Sequence, residues 1–207
     1  TYFSNVARGH FFYTPSRHGL GKLHRSDLRF ILDKWDKTEK GEVYRWLYSF
    51  LHQNTFEISI PGLKDSDLVP EGKTGVIVSF LIEYELFEKL QDRGWYEDIR
   101  REIETEIVDI LNETVYPGLK EKVEKKFSFT PVSIKNRIAS TDGAVVGWSF
   151  EAQVPAVHKI EKSAEAVNTP IANIFQAGQW VYNPAGVPMS ILTGKLAADK
   201  VIKLSRS

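Results

Sequence analysis

The sequence has no cysteine among its 207 residues and only one methionine. The absence of cysteine excludes disulfide bonds, thiolate metal ligands and cysteine nucleophiles. Neither sign of charge is in excess, since 27 lysine and arginine residues are balanced by 27 aspartate and glutamate residues. A chain without net charge has no long-range field that would attract nucleic acid, so we expect no nucleic-acid partner.

Long apolar runs are also missing, and no stretch is apolar enough to span a bilayer. The start of the chain, from Thr1 to His10, has no initiator methionine and no continuous apolar segment, which favours an internal cut over a signal peptide. Because a chain without cysteine gives no sign of an oxidising compartment, we expect a cytoplasmic location by default. The basic and aromatic stretch from Phe11 to Arg25 has two interpretations: peripheral contact with a membrane surface, or an interior loop of a larger enzyme.

The polar residues show no pattern typical of a catalytic or metal site. No two of the five histidines have the spacing of metal ligands on a helix face, so no metal site is predicted. Acidic residues between Glu97 and Glu106 alternate with arginines, which is typical of the solvated face of a helix rather than of an acid–base pair. No catalytic residue is therefore assigned.

Apolar residues recur at the spacing of amphipathic helices in three stretches, and a fourth stretch before residue 130 is predicted to be a helix of basic and acidic residues. In the clearest stretch, isoleucine and leucine side chains trace a single stripe among charged residues. Ser26 is predicted to cap the first helix, and Gly41 to lie beyond its end. The predicted helices are the stretch that begins at Ser26, Val43–Leu51, Trp95–Val115 and Leu119–Phe127, the last of which should end before Pro131.

Two strands are predicted between the second and third of these helices. Asn54–Ile60 alternates apolar and polar residues, whereas Val76–Tyr84 is largely apolar and β-branched, as in a more buried strand. The polar loop that joins them predicts antiparallel neighbours. A further short strand is predicted over Val145–Phe150. The residues before Leu20 favour irregular or short extended structure.

Small residues in the last part of the chain would let a ligand or another element come close to the backbone. A strand is predicted to end at Gly178, and a helix to run from Gly186 to Leu204. Gly178 would let a ligand approach the backbone, and Pro188 suits the first turn of a helix, where free N–H groups form an anion site. The same pattern also describes ordinary packing of a strand and a helix without a ligand.

Ligand binding, rather than ordinary packing, is favoured by a resemblance to the phytoene desaturase and carotenoid isomerase family. The matching residues of the C-terminal flavin-binding signature are Ala177-Gly178-Gln179-Trp180, Gly186-Val187-Pro188, Thr193-Gly194 and Ala197-Ala198. Upstream, Ser59-Ile60-Pro61 with Asp65, Leu68 and Pro70-Glu71-Gly72 resembles a second family passage, and Gly143-Ala-Val-Val-Gly147-Trp148 resembles its Gly-Ala-x-Tyr-Gly element. Together these matches cover residues 54–204.

The resemblance implies that this part of the chain binds FAD. Gly178 and Gln179 would lie against the ribityl-phosphate portion, and backbone N–H groups between Val187 and Met189 would face the pyrimidine edge of the ring. The implied cofactor-binding residues are Gly178, Gln179, Trp180, Gly186, Val187, Pro188 and Met189.

Two departures from the family pattern limit what the chain should do by itself. The strand, Gly-x-Gly-x-x-Gly turn and helix that hold the ADP half of FAD are absent from these 207 residues. We therefore expect this chain alone to bind FAD weakly or not at all and to be inactive. Val146 also replaces the aromatic residue of the Gly-Ala-x-Tyr-Gly element.

The predicted fold class is α+β. Residues 1–150 are interpreted as part of a substrate domain with a mixed, largely antiparallel sheet covered by helices. Residues 151–207 are interpreted as the C-terminal strand and helix of a Rossmann-like FAD-binding domain. The last helix would be separated from the rest of its domain and would expose an apolar face, which is rare on soluble monomers. We therefore predict a homodimer or a partly disordered C-terminus.

The predicted function is FAD-dependent desaturation, saturation or isomerisation of an apolar, polyene-like small molecule. Two alternatives stay open: a flavin amine-oxidase-like enzyme with another substrate, and a non-catalytic scaffold that keeps the fold without the cofactor. Trp35, Trp46, Tyr48 and Phe50 could line a channel for a polyene, although their helical spacing is more typical of core residues.

Overall fold

The computed structural model describes residues 9–21, 23–148, 154 and 156–206. Within those residues the chain forms seven α-helices and one three-stranded antiparallel sheet, which confirms the α+β class. The chain divides into two units, Thr1–Val132 and Ser133–Ser207. The predicted domain boundary between Phe150 and Glu151 lies outside the described residues and stays a prediction.

The sheet of the first unit consists of three short strands in the order β1-β2-β3, each antiparallel to its neighbour. Ile58 of the central strand pairs with Phe11 on one side and with Val78 on the other. Since side chains alternate along a strand, Phe56 and Ile58 are fully buried while Glu57 is exposed. The strands are β1 (His10–Tyr13), β2 (Phe56–Ser59) and β3 (Ile77–Ser79).

Four helices of the first unit build the apolar core with the central strand. The longest helix presents the predicted stripe, of which Ile99, Ile103, Ile110 and Leu111 are buried. Each such side chain contributes about 1.5–3 kcal/mol relative to exposure. The helices are α1 (Leu23–Asp33), α2 (Lys40–Gln53), α3 (Tyr84–Asp92) and α4 (Tyr96–Glu113).

Arg93 joins the two connections at one end of these helices. Its guanidinium donates hydrogen bonds to the carbonyl oxygens of Thr38, at 2.7 Å, and of Trp35. It also lies 5.3 Å from the ring centroid of Trp35 and 4.9 Å from that of Trp95. A cation between two aromatic faces adds attraction to the hydrogen bonds. Arg93 thereby ties the α1–α2 connection to the α3–α4 connection.

Several predicted boundaries in the first unit are wrong. Ser26 does not cap a helix, because α1 begins at Leu23 and Ser26 lies within it. Gly41 does lie beyond the end of α1, at Asp33, but in the first turn of α2. The cap of α2 is Glu39, whose backbone N–H donates to the Glu42 carboxylate at 3.1 Å while its own carboxylate accepts from the backbone of Glu42. This reciprocal pair is a capping box with glutamate in place of serine or threonine.

The predicted strand over Val76–Tyr84 is shorter and less buried than expected. Only Ile77–Ser79 pairs with β2, and Ile77 is exposed. Tyr84 instead begins α3, a helix that was not predicted, whose buried face comprises Leu86, Phe87 and Leu90. A short apolar run is compatible with both the helical and the strand period, and here the tertiary contacts determine which one forms.

The predicted helix over Leu119–Phe127 is also wrong, since only Lys120–Lys122 forms a short 3-10 helix. Charged residues dominate this stretch, so a helix would have little apolar surface to bury. Pro131 does not close a helix. It begins α5 (Pro131–Ile138), since proline needs no N–H partner in a first turn.

The second unit contains α6 (Ser163–Ala166), α7 (Val187–Ser205) and two isolated bridges. The predicted strand ending at Gly178 is not formed: Phe175 makes a single antiparallel bridge with Asn168. Residues 145–148 form bends rather than the predicted strand, whose last two residues, 149–150, lie outside the described residues. A strand needs a partner for its backbone groups, and the described part of this unit offers none. The Rossmann-like domain therefore stays a prediction.

Among the described residues, none of the helices has the length and apolar character needed to cross a membrane.

Candidate functional site

The candidate site is built on α7 and the segment that precedes it in the second unit. Ala166, Val167, Val181 and Tyr182 are buried in a small apolar cluster, against which Met189, Leu196 and Ala197 of α7 pack. Val157 forms a parallel bridge with Tyr182, and the N–H of Asn183 donates to the Val157 carbonyl at 2.9 Å. These contacts hold the segment before α7 against the helix.

Gln176 anchors the start of this segment. Its backbone N–H donates to the carbonyl of Val167 at 2.9 Å, and its side-chain amide donates to the carbonyl of Ala166 at 2.9 Å. Two residues later the chain enters a turn, in which the N–H of Val181 donates to the Gly178 carbonyl at 3.3 Å. We call residues 178–181 the site turn.

Thr193 links the site turn to the first turn of α7. Its side chain is completely buried, and its oxygen accepts a hydrogen bond from the Gly178 N–H at 3.1 Å. The same hydroxyl donates to the helix carbonyls of Met189, at 2.9 Å, or Ser190, at 3.1 Å. One hydroxyl therefore acts as acceptor toward the turn and as donor toward the helix.

A second contact with the site turn comes from residues 147 and 148. The indole N–H of Trp148 donates to the carbonyl of Trp180 at 2.7 Å, and the two rings meet edge to face at 5.2 Å. Gly147 has φ +84°, and a Cβ there would lie 2.2 Å from the Gln179 carbonyl oxygen. Only glycine allows this approach.

The entrance to α7 is open and lined by backbone. Gly186 is the N-cap, with φ 140° and ψ 173°, and no side chain caps the helix. Helix geometry leaves the N–H groups of Val187 and Met189 without intrahelical acceptors, whereas Pro188 has no N–H. A Cβ on Gly178 would meet nothing within 4 Å, and one on Gly186 only the Pro188 ring at 3.9 Å.

Asn183, three residues before Gly186 in the sequence, has a buried side-chain oxygen without a hydrogen bond to any described residue. The residue is 9% exposed, it precedes a cis proline, and its side-chain oxygen has no hydrogen-bond partner among the described residues. A buried acceptor without a donor costs free energy.

The structure places the seven predicted cofactor-binding residues in two neighbouring groups. Gly178, Gln179 and Trp180 form the site turn, while Gly186, Val187, Pro188 and Met189 form the cap and first turn of α7. Thr193 connects the first group to the second. The side chains of Trp180 and Val187 are exposed.

Sequence reasoning assigned no role to Thr193, Trp148 or Asn183. For Thr193 a signal existed, because a polar residue at the i+4 position from Met189 falls on the apolar face of the helix. The contact of Trp148 with a carbonyl 32 residues away had no local signal.

The aromatic residues proposed as a channel lining belong mainly to the core of the first unit. Trp35, Trp46 and Phe50 are buried, whereas Tyr48 is 57% exposed. Trp46 and Phe50 stack at 4.8 Å and form the floor of an open groove of about 350 Å³ between α1 and α2. In the part of the chain that the structure describes, histidine and carboxylate side chains nowhere form a group that could hold a metal ion.

Comparison with known proteins finds a distant similarity between this chain and an enzyme. The chain is 24% identical over 164 residues to a phytoene desaturase (neurosporene-forming) of Rhodobacter capsulatus. The matched region covers 78% of this chain and 28% of that enzyme, so the chain spans less than a third of its length. No family model matches the chain, and no solved structure matches it. The similarity supports, at most, a distant relationship to oxidoreductases of the phytoene desaturase kind.

Proposed function

We propose that this chain is the C-terminal part of an FAD-dependent oxidoreductase that acts on an apolar, polyene-like substrate. One observation carries the proposal: Thr193 joins the site turn to the first turn of α7, so that the two halves of the flavin-binding signature form a single backbone-lined site. The distant similarity of the chain to a phytoene desaturase also supports it.

The residues present fit a flavin. Open space at Gly178 and Gly186 leaves the backbone accessible to a planar ring or a ribityl chain. The free N–H groups at the start of α7 suit a ring edge that carries acceptors. The site therefore offers hydrogen-bond donors to the acceptors of a flavin pyrimidine ring.

When bound, FAD would supply the two-electron chemistry, while the chain supplies position and electrostatics. Gly178 and Gln179 would hold the ribityl-phosphate portion, with Trp180 beside them. Val187 and Met189 would donate backbone hydrogen bonds to the ring, and the positive end of the α7 dipole favours an electron-rich ring edge. Gly186 and Pro188 set the backbone of this turn.

The absorption spectrum of the purified full-length gene product tests the proposal. We expect flavin bands in the blue region, release of FAD on denaturation, and reduction of the bound flavin by an acyclic polyene with loss of two hydrogens from the substrate. Reduction by an amine but not by a polyene would contradict the substrate class. A protein that contains no flavin and takes up none when FAD is added would contradict the enzyme and favour a non-catalytic scaffold.

A further inference from the structure

The carbonyl groups of the first three residues of the site turn are held by two hydrogen bonds and one close contact. The Gly178 carbonyl accepts from Val181 within the turn, while the Trp180 carbonyl accepts from the Trp148 indole. The Gln179 carbonyl oxygen lies against Gly147, so closely that a Cβ would come within 2.2 Å of it. Two of the three carbonyls are thus restrained by residues that lie about 30 positions earlier in the chain.

These two restraints act in opposite senses. The Trp148 hydrogen bond of 2.7 Å pulls the turn toward residues 147–148, whereas Gly147 sets the closest distance that the turn can reach. Neither residue belongs to the seven residues of the proposed flavin site. Together with the hydrogen bond from Gly178 to Thr193, they leave the site turn few ways to move.

We propose that Gly147 and Trp148 are positioning residues for the flavin, which act through the backbone of the site turn. This role rests on the proposed function. Trp148 holds the Trp180 carbonyl by its indole N–H, and Gly147 provides the space for the Gln179 carbonyl. The ribityl-phosphate portion of the cofactor then meets a turn whose geometry exists before binding, which lowers the cost of ordering it.

The test uses the full-length protein and two variants. Trp148→Phe keeps an aromatic ring and removes the donor, and Gly147→Ala introduces the Cβ that collides with Gln179. We expect Trp148→Phe to weaken FAD binding about fivefold or more, the effect of losing one hydrogen bond. We expect Gly147→Ala also to weaken it, because the site turn must move away from the added Cβ. In both variants the visible circular dichroism of the bound flavin should change. Without FAD, the amides of the site turn should exchange faster in the variants than in the wild type.

A matched control separates close contact from backbone strain. Gly72 also has a positive φ, +74°, but a Cβ there meets nothing within 4 Å, so Gly72→Ala should leave the flavin signal unchanged. If the wild-type protein binds FAD and both variants bind it with the same affinity and the same flavin spectrum, the positioning role alone is overturned. This holds even if the variants unfold at lower urea concentrations than the wild type. Wild-type protein without flavin would overturn the proposed function and this role with it.

Discussion

The hydroxyl of Thr193 connects the site turn to the first turn of α7. It is completely buried, accepts from the Gly178 N–H and donates to a carbonyl in the first turn of α7. A valine has nearly the same shape without the hydroxyl. Replacement would therefore leave the Gly178 N–H without its acceptor, at little change in packing.

We predict that Thr193→Val lowers the free energy of unfolding by about 1–3 kcal/mol, because a donor that was satisfied becomes unpaired. Chemical denaturation followed by circular dichroism would measure this. Thr193→Ser keeps the hydroxyl and is the control, with an expected loss smaller than that of the valine variant. Equal stability of the valine variant and the wild type would show that the hydrogen bond from Gly178 contributes nothing.

At the scale of elements, the start of α2 depends on the ionised form of Glu42. The backbone N–H of Glu39 and the ammonium of Lys34, which lies 3.1 Å from the Glu42 carboxylate, hold the pKa of Glu42 below its usual value of 4.5. A carboxyl group whose pKa is lower in the folded state contributes stability above its unfolded pKa. That contribution is lost as the pH falls through the folded value.

We predict that the free energy of unfolding of the wild type falls as the pH drops below about 4.5. The free energy of unfolding of Glu42→Gln should fall less steeply. Glutamine can still accept from the Glu39 N–H but does not titrate. Denaturant unfolding at several pH values between 7 and 3 would measure both slopes. Glu71→Gln, in an exposed loop, is the control and should keep the wild-type slope. Identical slopes for wild type and Glu42→Gln would contradict the assigned role of this cap.

The entrance of α7 is a second element with a specific residue requirement. Gly186 has φ 140°, a backbone conformation that side chains with a Cβ rarely adopt. We predict that Gly186→Val removes flavin from the full-length protein, because the turn must shift to relieve strain of about 1–3 kcal/mol. Flavin absorbance per protein after purification is the measurement.

Gly194 provides the matched control for Gly186→Val. It lies inside α7, and a Cβ there would meet nothing within 4 Å. Gly194→Ala should keep the flavin and stabilise the helix by about 0.5–1 kcal/mol. A folded Gly186→Val variant with full flavin content would mean that this turn does not face the cofactor.

At the scale of the whole molecule, α7 carries apolar side chains that no described part of the second unit covers. Val187 and Ile191 are 73% and 69% exposed, and Val201, Ile202 and Leu204 are also exposed. Contiguous exposed apolar surface is rare on soluble monomers. In a longer enzyme of the proposed kind, a neighbouring element would cover this face.

We predict that the 207-residue chain self-associates, or that its C-terminal helix frays when it is alone. Light scattering over a range of concentrations and hydrogen exchange would measure the two outcomes. Ile191→Lys should weaken self-association, whereas Ile160→Lys, at an exposed site outside α7, should not. A monomer at all concentrations with a strongly protected α7 would contradict both outcomes.

The same chain should bind FAD more weakly than micromolar, which corresponds to less than about 8 kcal/mol of binding free energy. The physical reason is that a Gly-x-Gly-x-x-Gly turn supplies most contacts to the ADP half, and these 207 residues contain none. Titration of the chain with FAD, followed by flavin fluorescence, is the measurement, and the full-length protein is the positive control. Micromolar binding by the chain would contradict this division of the contacts.

The amino-acid sequence by itself determined the elements whose apolar period is long and unambiguous. The stripe of α4, the amphipathic face of α2, the alternation of β2 and the helix that begins after Gly186 all follow from local pattern. It also indicated both groups of candidate site residues, through their resemblance to a family signature in which glycine permits unusual backbone angles and proline fixes φ.

Only the tertiary structure decided the features that depend on distant partners. Tyr84 begins a helix rather than ending a strand, since β2 pairs with just three residues of the preceding run. Phe175 makes one bridge instead of a strand because no described neighbour extends the ladder. The hydrogen bonds of Trp148 and Thr193 to the site turn span 32 and 15 residues, a separation at which local propensity carries no information about which groups meet.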